Sequence, residues 1–296
     1  MLCSNNNSYL QLNGNDISME SSYNKSECIL ISSNHNIYKC NYNIKANTIS
    51  LLKLNDIINT KISIEKVSCG KNFMLALSVH GRVYSKGKNN KGELGLGDFN
   101  TRHNLTLIEI FENTGEKITN ITTGYKHALC LSTNGKVFGW GSNSHGQLSL
   151  NQLCSFPTPM WLKIDDYLST KTNTISTPIK AISIACGFRS SFILDDNQNI
   201  FYCGTSGVLH NTTSQLKHIC KLTNTYIYPN DNNIKIVKVN CVWNNYLSCM
   251  YLTYVNLNNV ITTPHKVKWC LSILASLWKD NNTRQPPYIK GISEYI

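Results

Sequence analysis

The amino-acid sequence predicts an all-β fold: a β-propeller, complete or partial, of about five repeats, with a C-terminal α-helix. Three observations carry this expectation. The stretch around Gly70 returns without a gap around Gly124, a period of 54 residues. Each copy holds two short apolar runs joined by a glycine turn, the pattern of a β-hairpin. The composition is rich in turn formers, with 39 Asn among 296 residues. Asn tolerates left-handed backbone and suits a chain of many short strands. A sheet of this kind cannot bury both faces alone, so the copies must stack.

Taken in chain order, residues 1–25 read as an irregular or partial first repeat, and 26–260 as the propeller repeats. Ile29 to Tyr38 matches only the middle of the unit. The first clear copy begins at Val67-Ser68-Cys69-Gly70. Its strand Met74-Leu75-Ala76-Leu77 leads through the turn His80-Gly81-Arg82 into a second strand, Val83-Tyr84-Ser85, which Gly87 closes. Asn89 to Gly92 is another turn signal. The second copy repeats these features at Gly124, Ala128 to Leu131, Gly135, Val137 to Trp140 and Gly141. Weaker strands are expected at Leu105 to Ile110 and Met160 to Ile164, giving about four strands per unit. The third copy holds Gly187, Phe192-Ile193-Leu194 and Ile200 to Gly204; it lies 63 residues after the second, which places an insertion near Leu168 to Thr177. A fifth, faint copy starts at Val239, with Val242 where the glycine should be. The repeat glycines Gly70, Gly81, Gly87, Gly124, Gly135, Gly141, Gly187 and Gly204 are expected to be structural, Gly81 and Gly135 by taking positive φ.

Residues 261–296 are expected to hold the helix and a tail. From Lys266 to Lys279, Val267, Cys270, Leu271, Leu274, Leu277 and Trp278 fall on one face at helical spacing, as a cap on the propeller would require. Gln285-Pro286-Pro287 then extends the chain.

Hydrophobic residues make up 41% and charged residues 15%, which supports a packed core. The net charge of +11 is diffuse, with no Lys/Arg run longer than two, so specific nucleic-acid recognition is not expected. Twelve Cys form no C-x-x-C pair, and many sit in apolar runs such as Ala128-Leu129-Cys130-Leu131, where a free thiol acts as a small core residue. With no secretory signal at Met1 and no apolar stretch long enough to span a bilayer, a cytoplasmic or nuclear monomer with reduced thiols is expected. No phosphate-binding loop, dinucleotide fingerprint or nucleophile elbow appears, so no catalytic residue, cofactor or metal is assigned. His127 has no neighbouring nucleophile and is expected to hydrogen-bond a backbone carbonyl inside its own blade.

Gly124, His127, Leu129, Leu131, Gly135, Val137, Phe138, Trp140, Gly141, Gly146, Gln147 and Leu148 match the signature of the regulator-of-chromosome-condensation repeats position by position. The chain resembles that family over roughly residues 26–260. There are departures: in the other copies the family His is Phe73, Ser190 and Asn245 and the Trp before glycine is Lys86 and Cys203, and in the second copy itself Ser149 replaces a glycine. The resemblance implies a propeller that binds a protein partner without covalent catalysis, or alternatively a guanine-nucleotide exchange factor for a small GTPase, with a chromatin-associated role third. Each clear copy also sets a basic residue just past its glycine: Lys71, Lys126 and Arg189. Repeat symmetry would gather them into one basic ring that attracts an acidic protein surface.

Overall fold

The computed structural model describes residues 17–21, 27–32, 37–43, 48–53, 62–150, 152–163, 180–205, 220–222, 234–243, 248–256 and 265–268. Among them lie five antiparallel sheets, each with its strands in chain order. The first holds β1 (Ile17–Ser21), β2 (Glu27–Ser32), β3 (Ile37–Asn43) and β4 (Thr48–Lys53). The second holds β5 (Ile64–Cys69), β6 (Phe73–Ser78), β7 (Val83–Gly87) and β8 (Arg102–Leu107). A short helix, α1 (Glu109–Thr114), leads into the third sheet: β9 (Ile118–Thr123), β10 (His127–Ser132), β11 (Val137–Ser142) and β12 (Ser155–Trp161). The fourth is β13 (Ala181–Cys186), β14 (Arg189–Asp195), β15 (Ile200–Thr205) and β16 (Cys220–Leu222). The fifth has three strands, β17 (Ile234–Trp243), β18 (Ser248–Asn256) and β19 (His265–Lys268).

The sheets stack in sequence. The leading strand of each packs on the sheet before it: β5 on β1 and β2, β9 on β5 and β6, β13 on β9 and β10, β17 on β13 and β14. Alternation of side chains along each strand explains why every sheet needs two neighbours. Leu75 and Leu77 of β6 point into a core with Ile121, Ala128, Cys130 and Trp140 of the third sheet. Their chain neighbours Met74 and Ala76 pack on the other face with Ile64, Val67 and Tyr84. In the third sheet Leu129, Leu131 and Val137 face Ile184, Ile193 and Phe201 of the fourth. The fourth closes on the fifth through Phe192, Leu194, Val239 and Leu252. This is the blade stacking of a β-propeller.

Three expectations from the sequence shift. The strand expected at Leu105 to Ile110 ends at Leu107, and α1 follows. Ile108 and Phe111 are buried, Glu109 and Glu112 lie in the first turn of α1, and Gly115 ends it at φ 69°. The strand expected at Met160 to Ile164 is instead Ser155–Trp161. At the C-terminus, Lys266 to Lys268 open the expected helix, yet they lie in β19, with Thr253 opposite Lys266 and Leu252 opposite Val267. An available ladder on β18 outweighs a helical pattern, because tertiary pairing satisfies the backbone directly. Residues 269–279 of that helix, and the insertion at 168–177, lie outside the described residues.

The turn face of the stacked sheets

The turns that join each leading strand to the next share one geometry. Gly70 N–H donates to the Phe73 carbonyl at 2.9 Å, Gly124 to His127 at 2.9 Å, and Gly187 to Ser190 at 2.8 Å. A Cβ on Gly70 would stand 2.0 Å from the Phe73 ring and 2.7 Å from the Gly124 carbonyl oxygen. On Gly124 it would stand 2.1 Å from the His127 ring and 2.4 Å from the Gly187 carbonyl oxygen. Glycine is thus needed here for close approach, and the absent side chain lets successive turns touch. The backbones then zip across the sheets: Lys71 N–H donates to the Tyr125 carbonyl at 3.0 Å, and Tyr125 N–H to the Phe188 carbonyl at 3.2 Å. The other repeat glycines, Gly81, Gly87, Gly135, Gly141 and Gly204, have φ between 77° and 117°.

Above this zipper the side chains form a stack. The Lys71 ammonium lies 4.6 Å from the Tyr125 ring centroid and bonds its hydroxyl, and the Lys126 ammonium lies 5.7 Å from the same ring. Tyr125 meets Phe188 at 4.3 Å between centroids, and the Arg189 guanidinium lies 5.1 Å from the Phe188 ring. Lys71, Lys126 and Arg189 therefore come to one face of the molecule. They do not hold one repeat position. The shared glycine aligns Lys71 with Tyr125 and Phe188, and Lys126 with Arg189, so the cations are brought together by aromatic spacers. The two rings, Tyr125 and Phe188, carry no charge pattern to betray them in sequence, although their spacing from the glycine is constant.

Two buried asparagines hold the loops beneath this face. Asn89 accepts from Leu94 N–H at 2.9 Å and donates to the Asp98 carbonyl at 2.8 Å. Its repeat partner Asn143 accepts from Leu148 N–H at 2.8 Å and donates to the Gln152 carbonyl at 2.7 Å. Four residues on, Glu93 accepts from Lys91 N–H and Gln147 from His145 N–H, at 2.6 and 2.8 Å. Burial pushes the Glu93 carboxyl above its usual range, opposed by the Lys91 N–H bond and the charges of Lys126 and Lys91. Burial, with a smaller push from Arg189, holds His145 below the usual imidazole value. The recurrence of Asn-x-x-x-Glu/Gln at the repeat period was the readable signal for these residues.

His127 is fully buried, and its Nε2 pairs with the Ser191 hydroxyl at 3.1 Å, while that hydroxyl donates to the Gln147 carbonyl at 2.7 Å. The expected partner was a backbone carbonyl inside its own blade; Ser191 instead belongs to the next sheet, so the imidazole acts as a tie between sheets. Desolvation lowers its pKa to about 4, a shift that the Ser190 backbone partly offsets, and the ring is neutral at pH 7. No group of three or more His, Cys, Asp or Glu able to hold a metal occurs among the described residues. No helix among them is long and apolar enough to cross a membrane.

Stacked four-stranded sheets, glycine-tight turns and a recurring buried Asn define a propeller-repeat protein. Comparison with known proteins specifies the class. Two models described as regulator of chromosome condensation (RCC1) repeat match the chain, one at residues 64–93 and 118–147, the other at 80–131 and 134–194. Residues 64–194 therefore carry repeats of the regulator of chromosome condensation type. The human probable E3 ubiquitin-protein ligase HERC6 is 40% identical over 95 residues, 32% of this chain and 9% of that protein. The human X-linked retinitis pigmentosa GTPase regulator is 34% identical over 101 residues, 34% of this chain and 10% of that protein. The crystal structure of human WBSCR16 superposes with a TM-score of 0.60 at 17% identity, covering 82% of this chain and 65% of that one. The first two matches span about a tenth of the relatives' length, and the third is a likeness of fold.

Proposed function

We propose that the chain is a non-catalytic protein-interaction module whose turn face binds an acidic surface of a protein partner. The observation that supports this reading is the stack of Lys71, Lys126 and Arg189 over Tyr125 and Phe188. Aromatic rings hold the three cations at fixed spacing, which lowers the entropy lost when a carboxylate-rich partner docks. Lys88 and Lys91, both exposed on neighbouring turns, extend the same field. The nearby carboxylates are already engaged: Glu93 is buried against Lys91 N–H, and Asp98 is ion-paired with Arg102 at 2.6 Å. The partner would be met in the nucleus or cytoplasm, with no cofactor. Capture from the native cell by the wild-type chain and by the Lys71→Glu, Lys126→Glu, Arg189→Glu variant tests the reading. Partners held by the wild type at low salt should be lost from the variant and from the wild type at moderate salt, with an unchanged melting temperature. Equal retention by both chains would refute the assignment of this face.

A second reading, regulation or nucleotide exchange on a small GTPase, is favoured by the similarity to the human protein named a GTPase regulator. A nucleotide-release assay with small GTPases separates the two. Catalytic acceleration of release would establish exchange, whereas binding without acceleration would leave the interaction module.

A further inference from the structure

At the opposite end of the third sheet the chemistry changes. Strand β11 meets the turn face at Ser142, whose N–H donates to the Lys126 carbonyl at 2.8 Å. Its other end begins at Val137 and pairs Phe138 with Trp161 of β12. There Trp161 is 46% exposed, and Met160, on the other face of the strand, is 39% exposed. The Lys136 and Lys163 ammonium groups lie 5.2 and 5.5 Å from the Trp161 ring centroid. Lys180 joins them, with its side chain against the Gly135 turn that precedes Lys136. From this rim we infer a peripheral docking site for an anionic lipid surface, centred on Trp161.

Two features choose a lipid surface over a polypeptide. β12 is the edge strand of its sheet, the usual place for a partner strand to add. Pro157 and Pro159 remove two of its N–H donors, and the Pro157 carbonyl already accepts from Gly97 N–H at 2.9 Å. Strand addition is thereby blocked, while the apolar tips beyond the prolines stay open. An exposed amphipathic Trp with ammonium groups around it is a combination that settles at a headgroup boundary. Lys136 is ion-paired with the nearly buried Glu116 and mainly orients the ring. Lys163 and Lys180 are exposed and supply the attraction, as does Lys117 beside the adjacent Gly81 turn. Among the described residues the exposed carboxylate on the turn beside Lys180 is Asp196, whose N–H bonds the Lys180 carbonyl; Asp165 and Asp166, which follow Lys163 in sequence, lie outside them. Attraction of this size yields weak, reversible, salt-sensitive binding rather than a permanent anchor.

Co-sedimentation of the full chain with large vesicles tests the site, using phosphatidylcholine alone and phosphatidylcholine with phosphatidylserine. Binding is expected only to the anionic vesicles and should fall as salt rises. Trp161→Ala and the Lys163→Gln, Lys180→Gln pair should each weaken it by roughly tenfold. Melting temperatures should not change, because these side chains are exposed. The turn-face variant at Lys71, Lys126 and Arg189 should keep most of the Trp161-dependent binding, which separates this site from the protein-docking reading. Failure of the wild type to bind anionic vesicles at low salt would overturn the inference. So would vesicle binding that Trp161→Ala leaves intact, or rim variants that lose binding to soluble polyglutamate but not to vesicles.

Discussion

The second and third sheets have nearly the same backbone and different interiors. Phe73 in the second corresponds to His127 in the third, Lys86 to Trp140, and Glu93 to Gln147. The glycines and buried asparagines are common to both, since Gly70 and Gly124 permit the same turn contacts and Asn89 and Asn143 make the same loop bonds. Conformational demands are thus identical in the two repeats, whereas packing volumes are free to vary as long as each gap is filled. Trp140 illustrates the difference. It is fully buried, meets Phe111 at 6.2 Å between centroids, and its Nε1 donates to the Glu93 carbonyl of the preceding repeat at 2.8 Å. Lys86 at the matching place is only partly buried.

The contrast should be widest at that pair. Trp140→Ala leaves a large cavity and an orphaned carbonyl, and should cost about 3–5 kcal/mol. Lys86→Ala should cost under about 0.5 kcal/mol. Denaturant titration of both variants checks the pair, and similar losses would mean that the two repeats are not distinguished by burial.

His127 offers the next contrast, through pH. Its pKa falls from 6.5 unfolded to about 4 folded, so the unfolded chain takes up a proton first. The stability linked to neutral His127 is complete above pH 6.5 and is lost as pH falls through 6.5 toward 4, up to roughly 3 kcal/mol. His127→Phe installs the residue that the second sheet uses and should flatten this slope. Unfolding free energies measured from pH 7 to 4.5 would show it, and an unaltered slope in the variant would assign the acid sensitivity elsewhere.

Gly135 tests what the repeats share. At φ 77°, with Lys180 Cγ 2.4 Å from where a Cβ would stand, Gly135→Val should cost about 1–3 kcal/mol. The same change at Gly81, φ 82° in the second repeat, should cost a similar amount, read as a lowered melting temperature. The smallest effect is expected at Glu93. A raised carboxyl pKa means the folded chain holds its proton more readily, so stability falls as pH rises through the carboxylate range. Glu93→Gln, which copies Gln147, should abolish that fall and leave the chain equally or slightly more stable at pH 7. A marked loss at pH 7 would show that the charge, rather than the hydrogen bond to Lys91 N–H, holds the loop.

The sequence alone determined the repeat, the hairpins around Gly81 and Gly135, and the propeller class. Each of these is written locally, in a side-chain period of two and in glycines at turn positions. It also named the three cations of the turn face, though not their arrangement. Tertiary structure decided the rest. Lys71 meets Tyr125 across 54 residues, and His127 meets Ser191 across 64. Such partners follow from how tightly the sheets stack, a distance set by Gly70 and Gly124 that no local pattern reports. The strand at His265–Lys268 has the same origin, since a helical spacing yields when a neighbouring strand offers its hydrogen bonds first.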